Sequence, residues 1–276
     1  MKKYAVYQVI SESYLDIVDL VIYFNVLIRL EYFIDGQFVS ETYSLCYAFL
    51  YFWNMDIHIS KLLKGAKSAK GITVVIDVFR ASNTIISCLS NGAKQIIPVG
   101  EISDAKCIKN NNKEYILFGE RGGVKIKGFD YGNSPVQASK MNLENDTVIL
   151  TTSAGSQGIV YSVNADEVLI GSFANANAVV GYLKNLNPDV VTLLAIGNNA
   201  TESAVEDEEC AKYLKAKLEG QEVDINQIMK NILSSAGADR LRRLKQGDDL
   251  EFCITLDSSE IVPKFIRELG AIVSTQ

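Results

Sequence analysis

The stretch Gly71 to Asn91, GITVVIDVFRASNTIISCLSN, constrains this chain more than any other. Ile72 to Ile76 is a short β-branched run of the kind that forms a buried strand, and Ile85, Ile86 and Leu89 then fall at the spacing of an amphipathic helix. Between the two lie Asp77, Arg80, Ser82, Asn83 and Thr84. An acid, a base and several small polar groups thus stand between the carboxyl end of a strand and the start of a helix. Open α/β sheets bind ligands at such places, and helix starts favour anions.

The same grammar continues along the chain. A strand at Met55 to Ser60 and a basic connection at Lys61 to Lys70 come first; a helix at Ser82 to Ser90, a stop at Asn91-Gly92, a strand at Gln95 to Val99, a helix at Ser103 to Lys109 and a strand at Tyr115 to Phe118 follow. Setting TVVIDVFRASNTI from Thr73 over TVILTTSAGSQGI from Thr147 gives an offset of 74 residues. Gln95 to Val99 then matches Glu167 to Gly171, and Tyr115 to Gly119 matches Val191 to Ile196. We read this as an internal duplication, so the expected class is α/β with two similar halves and a site drawing on both. Further on, the pattern predicts helices at Ser203 to Leu218 and Asp224 to Ser234, and a solvated basic helix face at Arg240, Arg242, Arg243 and Lys245. A strand at Leu250 to Leu256 and a last helix from Pro263 complete it.

A net charge of −6 over 276 residues gives no field for nucleic acid, so an anionic ligand needs local cations or a metal. The five cysteines are odd in number, widely spaced and form no CxxC pair, which argues against a disulfide framework or zinc site and suits a reducing cytoplasm. His58 is the only histidine and lies in an alternating, edge-strand pattern, which leaves one ring for any histidine chemistry. GxxxxGK[ST], GxGxxG and GxSxG are all absent, so neither nucleotide-binding loops nor a nucleophile elbow are supported.

Residues 1–54 differ in kind from the rest. They hold 8 of the 13 tyrosines, 5 of the 11 phenylalanines and the only tryptophan, but 1 of the 19 glycines. The uncharged run Leu20 to Ile28 is 9 residues long, too short to span a membrane, and acidic residues spoil a signal peptide. The expectation is a non-native extension at 1–54, with the true start at Met55 and the functional domain at 55–276; the alternative is an added helical hairpin.

The candidate chemistry sits in loops at strand ends. DVFRASNT offers Asp77 as a hard oxygen ligand or base and Arg80 as a fork for phosphate or carboxylate. GERGG offers Glu120 and Arg121 on a backbone that glycine lets approach a ligand closely. GFDYGNSP offers Asp130, Asn133 and Ser134, and TTSAGSQG offers Thr152, Ser153 and Ser156 as an uncharged oxyanion cradle. Glu206 and Asp207, in a helix first turn, read equally as dipole caps or as metal ligands.

Taken in order, DVFRAS, NGA, GERGG, GFDYGNSP, TTSAGS, GSFANANAV, AVEDEECA and LDSSEIVP resemble the 2-phosphosulfolactate phosphatase family from Met55 to the C-terminus. The resemblance implies a three-layer α/β fold and a Mg²⁺-dependent phosphatase that releases sulfolactate and phosphate on a route to coenzyme M. The chain departs from the family pattern in having Ala154 where Asn is usual and Phe79 where Leu is usual. We expect Asp77 with Glu206 or Asp207 to hold Mg²⁺, Arg80 and Arg121 to grip the anion, and Thr152, Ser153 and backbone N–H groups to bind phosphate. Metal-activated water is the expected nucleophile, with a phospho-Asp77 intermediate second. The alternatives are a phosphatase for another 2-hydroxy-acid ester and a non-catalytic module binding a phosphorylated metabolite. The expected partner is a small anionic phosphate ester, with no nucleic acid or membrane; a homo-oligomer stays open. Intact-mass measurement of the native protein checks the start: a mass beginning at Met55 is expected, and the mass of all 276 residues would overturn it.

Overall fold

A computed structural model of the chain describes residues 55–275 in full and, before them, the backbone strands of residues 6–14, 22–34 and 37–49. The chain divides into two units at Asn54 and Met55. In the first, β1 (Val6–Tyr14), β2 (Ile22–Ile34) and β3 (Gln37–Phe49) form an antiparallel sheet with β2 in the middle. The helical hairpin is therefore corrected to a sheet. The aromatic, glycine-poor content that set the segment apart in the sequence suits strands, and the β2–β3 ladder runs from Ile22↔Phe49 to Ile34↔Gln37.

The second unit carries a ten-stranded sheet with helices on both faces, the expected α/β class. Its first half runs β4 (Asp56–Lys61), α1 (Leu62–Ser68), β5 (Ile72–Ile76), α2 (Ala81–Ser90), β6 (Gln95–Pro98), α3 (Ile102–Asn111), β7 (Ile116–Arg121), β8 (Val124–Lys125) and α4 (Pro135–Ala138). Its second runs β9 (Thr147–Thr151), α5 (Gly155–Tyr161), β10 (Glu167–Gly171), α6 (Ala176–Leu186) and β11 (Val190–Ala195). Helices α7 (Val205–Leu218), α8 (Ile225–Leu233), α9 (Ala236–Arg243) and α10 (Gly247–Cys253) follow, and the hairpin β12 (Val262–Ile266), β13 (Ala271–Thr275) ends the chain.

Strand pairing is reciprocal. β5 lies parallel between β10 and β11, while β9 lies parallel between β6 and β7. β5 of the first half is thus flanked by two strands of the second, and β9 of the second by two strands of the first, so the halves are interleaved in one sheet. Alternation along the strands distributes the core. Val74 and Ile76 of β5 pack with α6 to α10, whereas Val75 joins Val148 and Leu150 of β9 in a second cluster with α1, α2, α4 and α5. Ile149 faces the other way, into a smaller cluster with α3.

Three expectations need correction. The basic connection at Lys61 to Lys70 contains α1, whose Gly65 and Ala66 are buried under evenly spaced lysines. Leu250 to Leu256 is not a strand: Asp249, Leu250 and Cys253 are buried at helical spacing in α10. The last segment is a hairpin rather than a helix, since Val262, Ile266, Ile272 and Val273 favour strands and Gly270 takes φ +61 at the turn. Pro263 has no β10 partner opposite it, so its missing N–H costs no bond on that side. His58 lies on the edge strand β4, exposed and paired with Asp56 at 2.9 Å. Among the described residues no helix is long and apolar enough to cross a membrane.

The starts of α2 and α5 meet. A Cβ added to Gly155 would lie 2.5 Å from the Ala81 Cβ and 2.7 Å from Asp77 Oδ2. Only hydrogen fits there. Gly155→Ala should lower stability by about 1–3 kcal/mol through overpacking and displace Asp77; thermal unfolding checks it, and an unchanged midpoint would show that the helix starts can separate.

Candidate active site

The exchange of strands brings loops from both halves to one place. The β5–α2 loop, the β7–β8 hairpin, the β9–α5 loop, the segment after β11 and helix α9 together line a cleft of about 400 Å³. Of the residues expected from the sequence, Asp77, Arg80, Glu120, Asn133 and Ser153 line it. Phe79 and Ala154, the two departures from the family pattern, line it as well.

Asp77 follows the last residue of β5 and is 7% exposed. Its Oδ1 accepts weakly from the Ala81 N–H at 3.4 Å, and its backbone N–H donates to Ser82 Oγ at 3.0 Å. Burial, with the Glu120 charge adding to it, pushes its carboxyl up to about 6. Glu120 is held more firmly: Oε1 accepts the Ser153 N–H at 2.7 Å, and Oε2 accepts the Gly123 N–H at 2.6 Å and the Ser153 hydroxyl at 3.2 Å. The hairpin turn that allows this uses Gly122 and Gly123 at φ +60 and +85, a conformation that favours glycine.

Arg80 is buried, and its guanidinium is already occupied. Nη1 pairs with Asp249 Oδ2 at 2.8 Å and Nη2 donates to the Gly123 carbonyl at 3.0 Å. Asp249 also accepts from Ser134 Oγ at 2.6 Å, so Ser134 serves this carboxylate and the start of α4. Arg121 does not line the cleft: its nitrogens donate to the carbonyls of Glu120 and Gly100 and to Thr151 Oγ1. Thr152 and Ser156 close on each other, each hydroxyl accepting the other's N–H at 3.0 and 2.9 Å, and lock the entry of α5. Asp130 accepts the Leu117 N–H at 2.8 Å away from the cleft.

The two acids of α7 do not join Asp77 in the cleft. Both oxygens of Asp207 accept backbone N–H groups, from Val78 at 2.7 Å and Gly197 at 2.9 Å, so this carboxylate ties the β5–α2 loop to the segment after β11. Burial holds its carboxyl well above the usual aspartate range, with Asp77 and Glu206 adding to the effect. Glu206 accepts the Ser235 hydroxyl at 3.3 Å beneath the first turn of α9 and lines a second, neighbouring cleft. Burial raises its carboxyl too.

Among the described residues no three His, Cys, Asp or Glu side chains form a ready metal cage. Mg²⁺ does not need one, since it keeps most of its waters and takes one or two carboxylates plus ligand oxygens. Asp77 and Glu120 are the carboxylates of the cleft, and the Asn133 Oδ1 is a buried acceptor with no partner. This oxygen-rich, net-acidic set fits Mg²⁺.

Sequence reasoning missed Asp249, Arg240 and the Asn198-Asn199 pair. Arg240 of α9 lines the cleft, and its Nη1 donates to Asn198 Oδ1. Helical phase gave no signal for Arg240: Ala238 and Leu241 are the buried positions of α9, whereas Arg240 shares its face with Gly237 and Arg243 and is turned inward by what packs against that face. Asn199 and Ala200 take φ +51 and +58, and with Gly197 at φ +76 they make a tight left-handed turn that the sequence marks only by its small polar residues.

Carboxylates at strand ends, arginines around them and two converging helix starts thus meet in one cleft of an α/β fold. The chain belongs to the 2-phosphosulpholactate phosphatase family, a family of phosphoric monoester hydrolases, whose model matches residues 57–268. It is 33% identical over 220 residues to a probable 2-phosphosulfolactate phosphatase of Clostridium kluyveri, covering 74% of this chain and 91% of that one. It is 35% identical over 228 residues to one of Clostridium tetani, covering 77% and 97%.

Because Asp77 holds its proton more tightly folded than unfolded, its contribution to stability is present below the unfolded value near 3.8 and is lost as pH rises through about 6. In EDTA-treated protein, Asp77→Asn should therefore raise the unfolding free energy at pH 8 by on the order of 2 kcal/mol, with the gain shrinking toward pH 4. Thermal melts across that range check it; a variant less stable at pH 8 would show that the buried charge is already neutralised by its surroundings.

Proposed function

We propose that the protein hydrolyses the phosphate ester of a 2-hydroxy acid, with 2-phosphosulfolactate as substrate and Mg²⁺ bound at Asp77 and Glu120. The observation that carries this reading is the meeting of Asp77, Glu120 and Arg240 in one cleft at the starts of α2 and α5. Membership of the phosphatase family supports the reaction class.

Hydrolysis breaks the ester P–O bond: the oxygen of water becomes a phosphate oxygen, and one of its protons ends on the hydroxyl of the released acid. Bound Mg²⁺ would neutralise phosphoryl charge and make a coordinated water more acidic. Asp77 positions that charge from the end of β5. Glu120 cannot swing away, because three donors from Gly123 and Ser153 fix its two oxygens. Phe79 and Ala154 give the cleft an apolar wall that limits water. Asn133 Oδ1 has an acceptor to offer a hydroxyl or a water. A cytoplasmic setting and a place on a route to coenzyme M belong to the same reading. Direct attack by water is preferred over a phospho-Asp77 intermediate.

Phosphate release from 2-phosphosulfolactate, measured with Mg²⁺ and with EDTA, tests the proposal. Turnover with Mg²⁺, loss with EDTA and a fall on the order of 10³-fold in Asp77→Asn are expected. Turnover unaffected by EDTA would remove the metal from the reading, and no release from this ester or from 2-phospholactate would overturn it.

A further inference from the structure

We infer that Arg240 is the substrate-binding residue for the anionic groups, and that the ligand lies across it, with its phosphate beside Asp77 and a second anionic group in the neighbouring cleft. This rests on the phosphate-ester reading and deepens it, because it assigns the second group of the substrate a place.

Two clefts share Arg240. The second, of about 590 Å³, opens between the starts of α7 and α9, and it has Asn198 and Arg240 in common with the first. Three arginines come near the cleft beside Asp77, and two are already engaged. Arg80 is answered by the Asp249 carboxylate and the Gly123 carbonyl, and Arg121 by two carbonyls and a hydroxyl. Arg240 makes no ion pair among the described residues; its Nη1 donates to the neutral amide oxygen of Asn198, and its Nε–H is buried with no partner. A guanidinium presents five donors in a fixed fork, and a buried donor left unpaired carries a desolvation cost that the oxygens of an anion would remove. The fork geometry suits phosphate, carboxylate or sulfonate on either edge.

The acids of the second cleft feel the charge of Arg240, Glu206 above all, but none pairs with it directly among the described residues. Glu202 accepts from Asn198 Nδ2 at 3.1 Å, and Glu206 accepts from Ser235. A Cβ at Gly237 would come 2.2 Å from Glu206 Oε1, so the bare first turn of α9 rests directly on this side chain. That contact fixes the level of Arg240 one turn further on. Arg243, on the same helix, also lines the second cleft and adds positive charge there. The ligand class that fits is a short-chain 2-phospho acid with a second strongly anionic group close to the ester carbon.

The test is binding, measured by titration calorimetry with inorganic phosphate and with 3-sulfolactate in the presence of Mg²⁺. Arg240→Gln should weaken both by roughly tenfold or more, and Arg240→Lys should recover part of the loss. Arg242→Gln, on the exposed side of α9 where Arg242 pairs with Asp239 at 2.8 Å, should bind both as the unaltered protein does. Thermal melts confirm that each variant is folded. Unchanged affinities in folded Arg240→Gln, an equal loss in Arg242→Gln, or no binding of either probe by the unaltered protein would each overturn the inference. Binding that depends on Arg240 without phosphate release overturns the hydrolase reading alone. Hydrolysis of 2-phosphosulfolactate by Arg240→Gln at unaltered kcat/KM overturns this inference alone.

Discussion

The ion pair of Arg80 with Asp249 holds the site together. Both partners are nearly free of solvent, and between them they fix four separate segments: the β5–α2 loop, the β7–β8 hairpin through the Gly123 carbonyl, the start of α4 through Ser134, and α10. Desolvating two charges is costly, and such a pair adds little net stability over a well-packed apolar contact. What it does supply is position. Removing either partner would leave a buried charge unanswered, so these segments are bound to one relative arrangement. The same engagement takes the Arg80 guanidinium out of contention for a ligand, which is why the cleft needs another cation.

Around this pair the cleft accumulates more acid than base. Asp77 and Glu120 line it, Asp207 lies beneath the loops and Glu206 under α9, and burial raises the carboxyls of Asp77, Asp207 and Glu206. Each is managed by a different device. Glu120 and Asp207 are bound by backbone N–H groups, Glu206 rests against the positive end of a helix, and Asp77 has only one long bond. Strain is thus concentrated on the least satisfied acid, and that acid is the one at the crevice between the two helix starts. A site left incomplete in this way favours whatever brings positive charge to it, at the expense of the stability of the empty protein.

The strands β5, β9 and β10 were legible because their apolar runs are short and bounded, and β5 and β10 end where the sequence places them. The C-terminal part was not, because its cues point both ways: Pro263 reads as a helix start, yet it stands in a strand whose neighbour leaves its nitrogen unpaired. The candidate site divides along a similar line. Asp77, Glu120, Asn133 and Ser153 were found because each sits in a loop at a strand end, where chemistry is expected. Arg121, Thr152 and Ser156 stand in the same kind of loop but turn to satisfy local backbone and hydroxyl groups, and nothing in residue type distinguishes a ligand donor from a loop clamp. Asp249 and Arg240 come from helices at the far end of the chain, reachable only through tertiary structure.

The exchange of strands between the halves explains why so much of the site is non-local. β5 is flanked by strands of the second half and β9 by strands of the first, so the loop after each emerges among the other half's elements. Ala81 and Gly155 come into close approach even though β10, β12, β13 and β6 stand between β5 and β9 in the order of the sheet. Each half alone would offer one helix start and one loop, with half a cleft between them. The acid comes from the first half, the uncharged Ser153 loop from the second, and α9 closes the space with the arginine that neither loop can spare. A chain that folded its halves separately would keep every motif in its sequence and lose the geometry that makes them a site.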